Sequence, residues 1–191
     1  KGGRGFFGLD VTDPTAPKAL WEPCHASTLC NNAVANMGMS FGNPVITRMP
    51  AGTTLAGKWV VLVTSGYNNT PTAETQPSAV NGTGGDGKGY LFALDPLTGA
   101  VLKTWATNTG TVANPAGLGK LSTVGPTFYN DGLSSIAYAG DLLGNVWRFN
   151  LSLEPTDTNA VKRITTLKNA AGQVQPVTTR IELGARPNSN S

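Results

Sequence analysis

This chain of 191 residues is poor in charge, in histidine and in long apolar runs. Charged residues make up 13% of it, about half the usual share of roughly 25%. The formal net charge of +3 comes from basic residues scattered along the whole length. With no basic stripe to track a phosphate backbone, the pI near 9.0 gives a nucleic-acid partner no support. His25 is the only histidine, and neither G-x-S-x-G nor H-E-x-x-H occurs, so no pair of base and nucleophile is in view and an enzymatic reading is not adopted. No apolar run approaches the roughly 20 residues of a membrane-spanning helix, and no window carries the apolar stripe of a three-turn amphipathic helix. The chain opens Lys1-Gly-Gly-Arg4 without methionine. An upstream portion is therefore expected to be missing, and the absence of a targeting signal says nothing about location.

What is present is glycine (24), proline (13) and short β-branched runs such as Trp59-Val-Val-Leu-Val63. These favour strands joined by many turns. One unit is written three times: Phe6-Phe-Gly-Leu-Asp10, Leu91-Phe-Ala-Leu-Asp95 and Val146-Trp-Arg-Phe-Asn150. Each reads as a strand ending in an Asp or Asn turn and followed by a return strand: Ala19-Leu-Trp21, Val101-Leu-Lys-Thr-Trp105 and Val161-Lys-Arg-Ile-Thr165. A second element recurs out of phase. Gly42-Asn-Pro-Val-Ile46, Val124-Gly-Pro-Thr-Phe128 and Val174-Gln-Pro-Val-Thr178 are each expected to begin an inner strand, with proline at the start where no ladder donor is lost. Pro126 lies 82 residues after Pro44, and Pro176 lies 50 after Pro126. A four-stranded propeller blade takes about 40 to 50. The sequence therefore predicts an all-β fold: a β-propeller of four-stranded blades, present over 1–191 as part of a ring of about two to three blades. Residues 23–40 and 66–88 are expected to be long loop insertions.

The remaining motifs carry little chemistry. Gly82-Thr-Gly-Gly-Asp-Gly87 fits G-x-G-x-x-G, but a phosphate loop needs a helix behind it and a strand is expected there instead. Cys24 and Cys30 bracket His25 without the further ligands a zinc site needs. A disulfide closing this small loop is the expected reading, which implies an oxidising compartment; the alternative is a pair of free, buried thiols. Trp21, Trp59, Trp105 and Trp147 are expected to pack between blades.

In order along the chain, Arg4-Gly-Phe-Phe-Gly-Leu-Asp-Val-Thr-Asp-Pro14, Val63-Thr-Ser-Gly-Tyr-Asn68, Gly89-Tyr-Leu-Phe-Ala-Leu-Asp95 and Tyr138-Ala-Gly-Asp-Leu-Leu-Gly-Asn-Val-Trp-Arg-Phe149 resemble the C-terminal propeller domain of bacterial type IV pilus biogenesis proteins of the PilY/PilC type. The resemblance implies pilus assembly and tip-associated adhesion. It implies pilin or other assembly proteins and a host or abiotic surface as partners, and the periplasm, outer membrane or cell surface as location. A fragment of a quinoprotein dehydrogenase propeller, holding pyrroloquinoline quinone and calcium, is the alternative. It calls for an adjacent cysteine pair, which Cys24 and Cys30 are not.

The resemblance also implies a calcium loop just before Tyr138. Its acidic positions fall on Thr127, Tyr129, Asp131 and Ser135, of which only Asp131 is acidic. Calcium takes six to eight oxygen ligands, several of them charged, so no cofactor is expected. Asn130-Asp-Gly132 is instead expected to be a hairpin turn joining Thr127-Phe-Tyr129 to Ile136-Ala-Tyr138. Calorimetric titration should accordingly give no micromolar calcium affinity at this loop; such an affinity, lost in Asp131→Ala, would refute the expectation.

Overall fold

The computed structural model describes residues 3–25, 30–70, 85–125 and 128–184, with 128 and 129 as backbone only. Two antiparallel hairpin strands come first, β1 (Gly8–Asp10) and β2 (Lys18–Trp21), followed by a short parallel ladder of β3 (Pro23–Cys24) and β4 (Asn32–Ala33). The first full sheet runs in chain order through β5 (Val45–Arg48), β6 (Trp59–Thr64), β7 (Tyr90–Leu94) and β8 (Val101–Ala106). The second repeats that meander with β9 (Leu121–Val124), β10 (Ile136–Gly140), β11 (Asn145–Asn150) and β12 (Val161–Thr166). Between β9 and β10 stands one helical turn, α1 (Phe128–Asp131). The architecture is thus all-β, in four-stranded antiparallel sheets of the kind that make propeller blades. Hairpins β1–β2, β7–β8 and β11–β12 are the threefold unit of the sequence, and each carries one register irregularity, at Gly8/Leu9, Ala93/Leu94 and Val146/Trp147. The strand-end residues act as the turn reading requires: Asp10, Asp95 and Asn150 each accept, through Oδ1, the backbone N–H two residues on.

The first sheet is apolar on both faces, and that decides the stacking. Val60 and Leu62 of β6, with Leu91 and Ala93 of β7 and Trp105 of β8, join Ala137, Ala139, Trp147 and Phe149 of the second sheet in one cluster. The alternate residues Val61, Val63, Tyr90, Phe92 and Leu94 form another with Trp21 of β2, and Phe6, just before β1, packs against it. Each large side chain so buried contributes about 1.5–3 kcal/mol, and the period of two along a strand means neither face can be satisfied without a neighbour. Across one end of this stack, Lys103 bonds Glu154 and Thr54, while the Thr54 amide donates to Glu154 at 2.8 Å. The Lys103 hydrogen bond, and next that amide, hold the Glu154 carboxyl below the usual glutamate range.

The second sheet is closed at the β10–β11 turn by a buried carboxylate. Asp141, with no exposed surface, accepts from the Asn145 amide at 2.8 Å, from Asn145 Nδ2 at 2.9 Å and from Trp147 Nε1 at 2.7 Å. One side chain thereby satisfies three buried donors, one of them on a tryptophan of the inter-sheet core.

The structure corrects several expectations. Pro44 does precede an inner strand, β5, but the chain from Val124 to Phe128 ends one: β9 lies upstream at Leu121–Val124. No hairpin turn forms at Asn130–Gly132. Asn130 and Asp131 close α1, and Val124 pairs with Ile136 across the wider connection; Pro126 and Thr127 lie outside the described residues. Val174 makes only an isolated bridge to Lys168 rather than opening a ladder. Trp21, Trp105 and Trp147 are core residues, whereas Trp59, first in β6, is 49% exposed.

Truncating Asp141 to Ala leaves the Trp147 and Asn145 donors buried without an acceptor. Asp141→Ala is expected to lose about 3 kcal/mol of stability, read as a lower urea midpoint at unchanged slope.

Candidate functional site

The described parts of the 23–40 and 66–88 stretches meet at one end of the first full sheet. The chain entering β5 and the connection from β6 to β7 run side by side. Gly38 N donates to Ser65 O at 2.6 Å, Met39 N to Tyr67 O at 2.7 Å, and Tyr67 N back to Met39 O at 3.0 Å. Glycine is needed for so close an approach, since a Cβ on Gly38 would lie 2.2 Å from Tyr67 O. Met37 and Val34, on the same connection, are buried in the cluster around Phe92 and anchor it to the sheet.

Around this seam side chains close the remaining backbone valences. Asn69, fully buried, donates through Nδ2 to Asn36 O at 3.2 Å and to Lys88 O at 2.7 Å. The Asp86 amide donates to Asn36 Oδ1 at 3.2 Å. The Arg4 guanidinium reaches across to the carbonyls of Met37 and Thr70, and burial lowers its pKa. The Asp86 carboxylate takes the Tyr90 hydroxyl at 2.8 Å and the Lys88 amide at 3.0 Å, and pairs with Lys88 Nζ at 2.9 Å. Burial works to raise the Asp86 pKa, but the Lys88 and Tyr90 hydrogen bonds outweigh it and hold the group below the usual aspartate range. Tyr90 is pushed up, first by burial and then by Asp86.

The face continues across the next connection. Ala116 N donates to Gly87 O at 2.8 Å, Gly66 and Leu118 exchange both backbone bonds at 3.0 Å, and Leu142 N donates to Ala116 O at 2.9 Å. Beside it lies an open cavity of about 610 Å³ lined by residues including Arg4, Phe6, Phe7, Ser40 and Pro44. The described parts of the 23–40 and 66–88 stretches therefore form one bonded face; residues 26–29 and 71–84 lie outside the described residues. Cys24 and Cys30 are joined by a disulfide with Cα atoms 6.0 Å apart, and Cys24 O accepts the Val34 amide at 2.7 Å. The bridge clips the entry of this connection to the strand that follows it.

The sites considered from sequence alone fare differently. Of Gly82–Gly87, the described part, Gly85 to Gly87, leads through Lys88 and Gly89 into strand β7 and not into a helix. Asp131 caps its own turn, with Oδ1 accepting from the Leu133 amide at 3.0 Å, and the Ser135 hydroxyl is directed to Val124 O at 3.4 Å. Of the four positions set against a calcium loop, Thr127 lies outside the described residues and Tyr129 is described by its backbone alone, so only Asp131 and Ser135 are placed. Among the described residues no three His, Cys, Asp or Glu side chains gather as metal ligands, and no helix is long and apolar enough to cross a membrane. Sequence reading did not find the pinning residues Arg4, Asn36, Asn69 and Asp86. Arg4 and Asn36 meet partners 33 or more positions away, so no local pattern marks them.

Four-stranded antiparallel meanders stacked face to face define part of a β-propeller. The chain belongs to the PilY1 β-propeller domain family, whose match spans residues 1–187. It is 35% identical over 150 residues, 78% of its length, to the type IV pilus biogenesis factor PilY1 of Pseudomonas aeruginosa strain PAO1. It is 27% identical over 208 residues, with 98% of the chain covered, to a PilY1 homolog of Xylella fastidiosa strain Temecula1. It spans only 10% and 12% of those two proteins. The crystal structure of the P. aeruginosa PilY1 C-terminal domain superposes on 97% of the chain with a TM-score of 0.70 at 27% identity, and the chain covers 36% of it.

If the disulfide stabilises the composite face chiefly by closing its short loop, then reduction, or Cys24→Ser with Cys30→Ser, should cost about 2 kcal/mol. Hydrogen exchange should rise first at residues 30–40, with the second sheet unchanged.

Proposed function

We propose that the chain is the rigid propeller portion of a type IV pilus assembly factor that works by binding and not by catalysis. The composite face of residues 30–44, 66–70 and 85–89 meets pilin or other assembly proteins and, at the pilus tip, a host or abiotic surface. The observation that carries this reading is the stitching of both insertions to a buried sheet. The stitches hold loop chemistry in a fixed position, which is what a binding surface requires. Membership of the PilY1 propeller family supports the pilus context, and a disulfide agrees with the periplasm, outer membrane or cell surface as location. The quinoprotein reading calls for an adjacent cysteine pair, whereas Cys24 and Cys30 are bonded to each other across a separation of 6.

The test is deletion of the gene in the parent bacterium, followed by complementation. Because Asn69, Thr70, Asp86 and Lys88 pin the face, the trimmed allele should lack only residues 71–84. Deletion is expected to abolish pili and twitching motility, and the trimmed allele to restore pili but not attachment. Piliation unaffected by deletion would sink the proposal.

A further inference from the structure

Strand β5 carries a polar residue on the face that meets the second sheet. In its ladder with β6, Val45 stands opposite Leu62 and Thr47 opposite Val60. Both therefore point to the side of the shared cluster, while Ile46 points away and is exposed. Thr47 is fully buried, and a buried hydroxyl needs a partner. It meets two, both on the β9–β10 connection of the second sheet. Thr47 Oγ1 donates to Gly132 O at 2.7 Å, and the hydroxyl of Ser134, equally buried, lies 2.8 Å away with a proton to return.

The backbone follows the same path. Arg48, next in β5, donates its amide to Gly132 O at 2.8 Å and accepts from Ser134 N at 3.2 Å, a parallel bridge with Leu133 at its centre. Residues 132–134 thus pair with the edge of the first sheet although they connect strands of the second. Ser135 returns the chain to its own sheet, donating its amide to Val124 O at 3.0 Å and accepting from Leu151 N at 2.9 Å. Gly132 has a φ of +70°, and a Cβ there would stand 2.6 Å from Trp59 Cη2. Trp59, opposite Arg48 in the ladder, therefore rests its ring on this glycine.

We infer that Thr47, Arg48 and Trp59 form a clasp that orders residues 131–135 from the neighbouring sheet, at the connection where the resemblance puts an ion. The oxygens placed on this stretch are already engaged. Gly132 O receives two donors, Ser134 Oγ is bonded to Thr47, Ser135 Oγ is directed to Val124 O, and Asp131 Oδ1 accepts the Leu133 amide. A cation drawing on Gly132 O would have to displace the Thr47 or Arg48 bond, and with it a contact between the two sheets. Order in the connection and contact between the sheets are then one equilibrium, set by packing and insensitive to calcium at this loop.

The test is hydrogen exchange on the full-length protein, read at the Arg48 and Ser134 amides, whose bonds cross between the sheets. Thr47→Val keeps the shape and removes the hydroxyl, and is expected to speed exchange at both amides about tenfold. In the unmutated protein and in Asp131→Asn, which keeps the acceptor and loses the charge, exchange there should be the same in calcium and in EDTA. Ser134→Ala removes only the second partner; it should give a smaller increase and serves where Thr47→Val does not fold. Gly132→Ala, strained at its positive φ and against the ring, should lower the melting temperature by several degrees, and by less in a Trp59→Ala background. Unchanged exchange in Thr47→Val and Ser134→Ala overturns the inference. So does slowing of these amides by calcium that is lost in Asp131→Asn, because an ion then holds the connection. An equal cost of Gly132→Ala in both backgrounds overturns the role given to Trp59.

Discussion

The structure depends on the burial of β6 and β7 from both sides. Every residue of Val60–Thr64 and of Tyr90–Leu94 is buried, with alternate side chains in two separate clusters. A sheet with one apolar face needs a single cover and can present its other face to water. A sheet with two must be sandwiched, and its neighbours then inherit the same demand on their outer faces. That propagation makes the fold a stack, and it accounts for the low charge of the chain, because the sheet faces leave little room for ions. The small residues Ala93, Ala137 and Ala139 sit in the shared cluster between the two full sheets beside Trp105, Trp147 and Phe149, pairing small with large as close interdigitation requires.

With the faces committed to packing, the bonded polar seam lies at a sheet end and its connections. Connections usually carry higher mobility, yet the one bearing the insertions is held by reciprocal backbone bonds at Met39–Tyr67 and Gly66–Leu118 and by the buried Asn69. Ordering those residues during folding moves its entropy cost out of any later binding event. The polar groups in the seam mostly satisfy one another, including the Asp86 carboxylate that takes Tyr90 and Lys88 together. Such groups position backbone.

What the sequence made legible follows the same logic. The third and fourth strands of each unit combine an apolar run with an Asp or Asn turn, two local signals that agree, and all three hairpins stand where the pattern put them. The innermost strands are weaker text. Leu121-Ser-Thr-Val124 is short and half polar, and proline proved an unreliable marker because it stands before β5 but after β9. The turn at Asn130-Asp-Gly132 was misread because Asp-Gly favours a tight hairpin, while β9 and β10 are joined through a helical turn instead. Trp59 reads as core by composition, but its place at the first residue of β6 puts it at a sheet end. The face was invisible because the bonds that join its parts, such as Arg4 to Thr70 and Asn36 to Asp86, link residues far apart in sequence, a separation no local motif encodes.

One detail explains how an insertion enters such a sheet without cost to its ladder. In the second sheet, Asp141 N donates to Asn145 O at 3.0 Å, and Asn145 N donates to Asp141 Oδ1 at 2.8 Å. In the first sheet, Ser65 N donates to Tyr90 O at 2.8 Å, and Tyr90 N donates to Ser65 Oγ at 3.0 Å. The same two-bond closure therefore seals the second strand to the third whether the connection is a tight turn or the long path from Ser65 to Tyr90. Everything between the closing residues is free to lengthen, at a loop entropy that grows only slowly with length. In the tight turn the closing acceptor also receives Asn145 Nδ2 and Trp147 Nε1, which a carboxylate can accommodate. In the long connection the closing residue has only the Tyr90 amide to satisfy, and a serine suffices. The choice of Asp or Ser at this point goes with how many buried donors converge there.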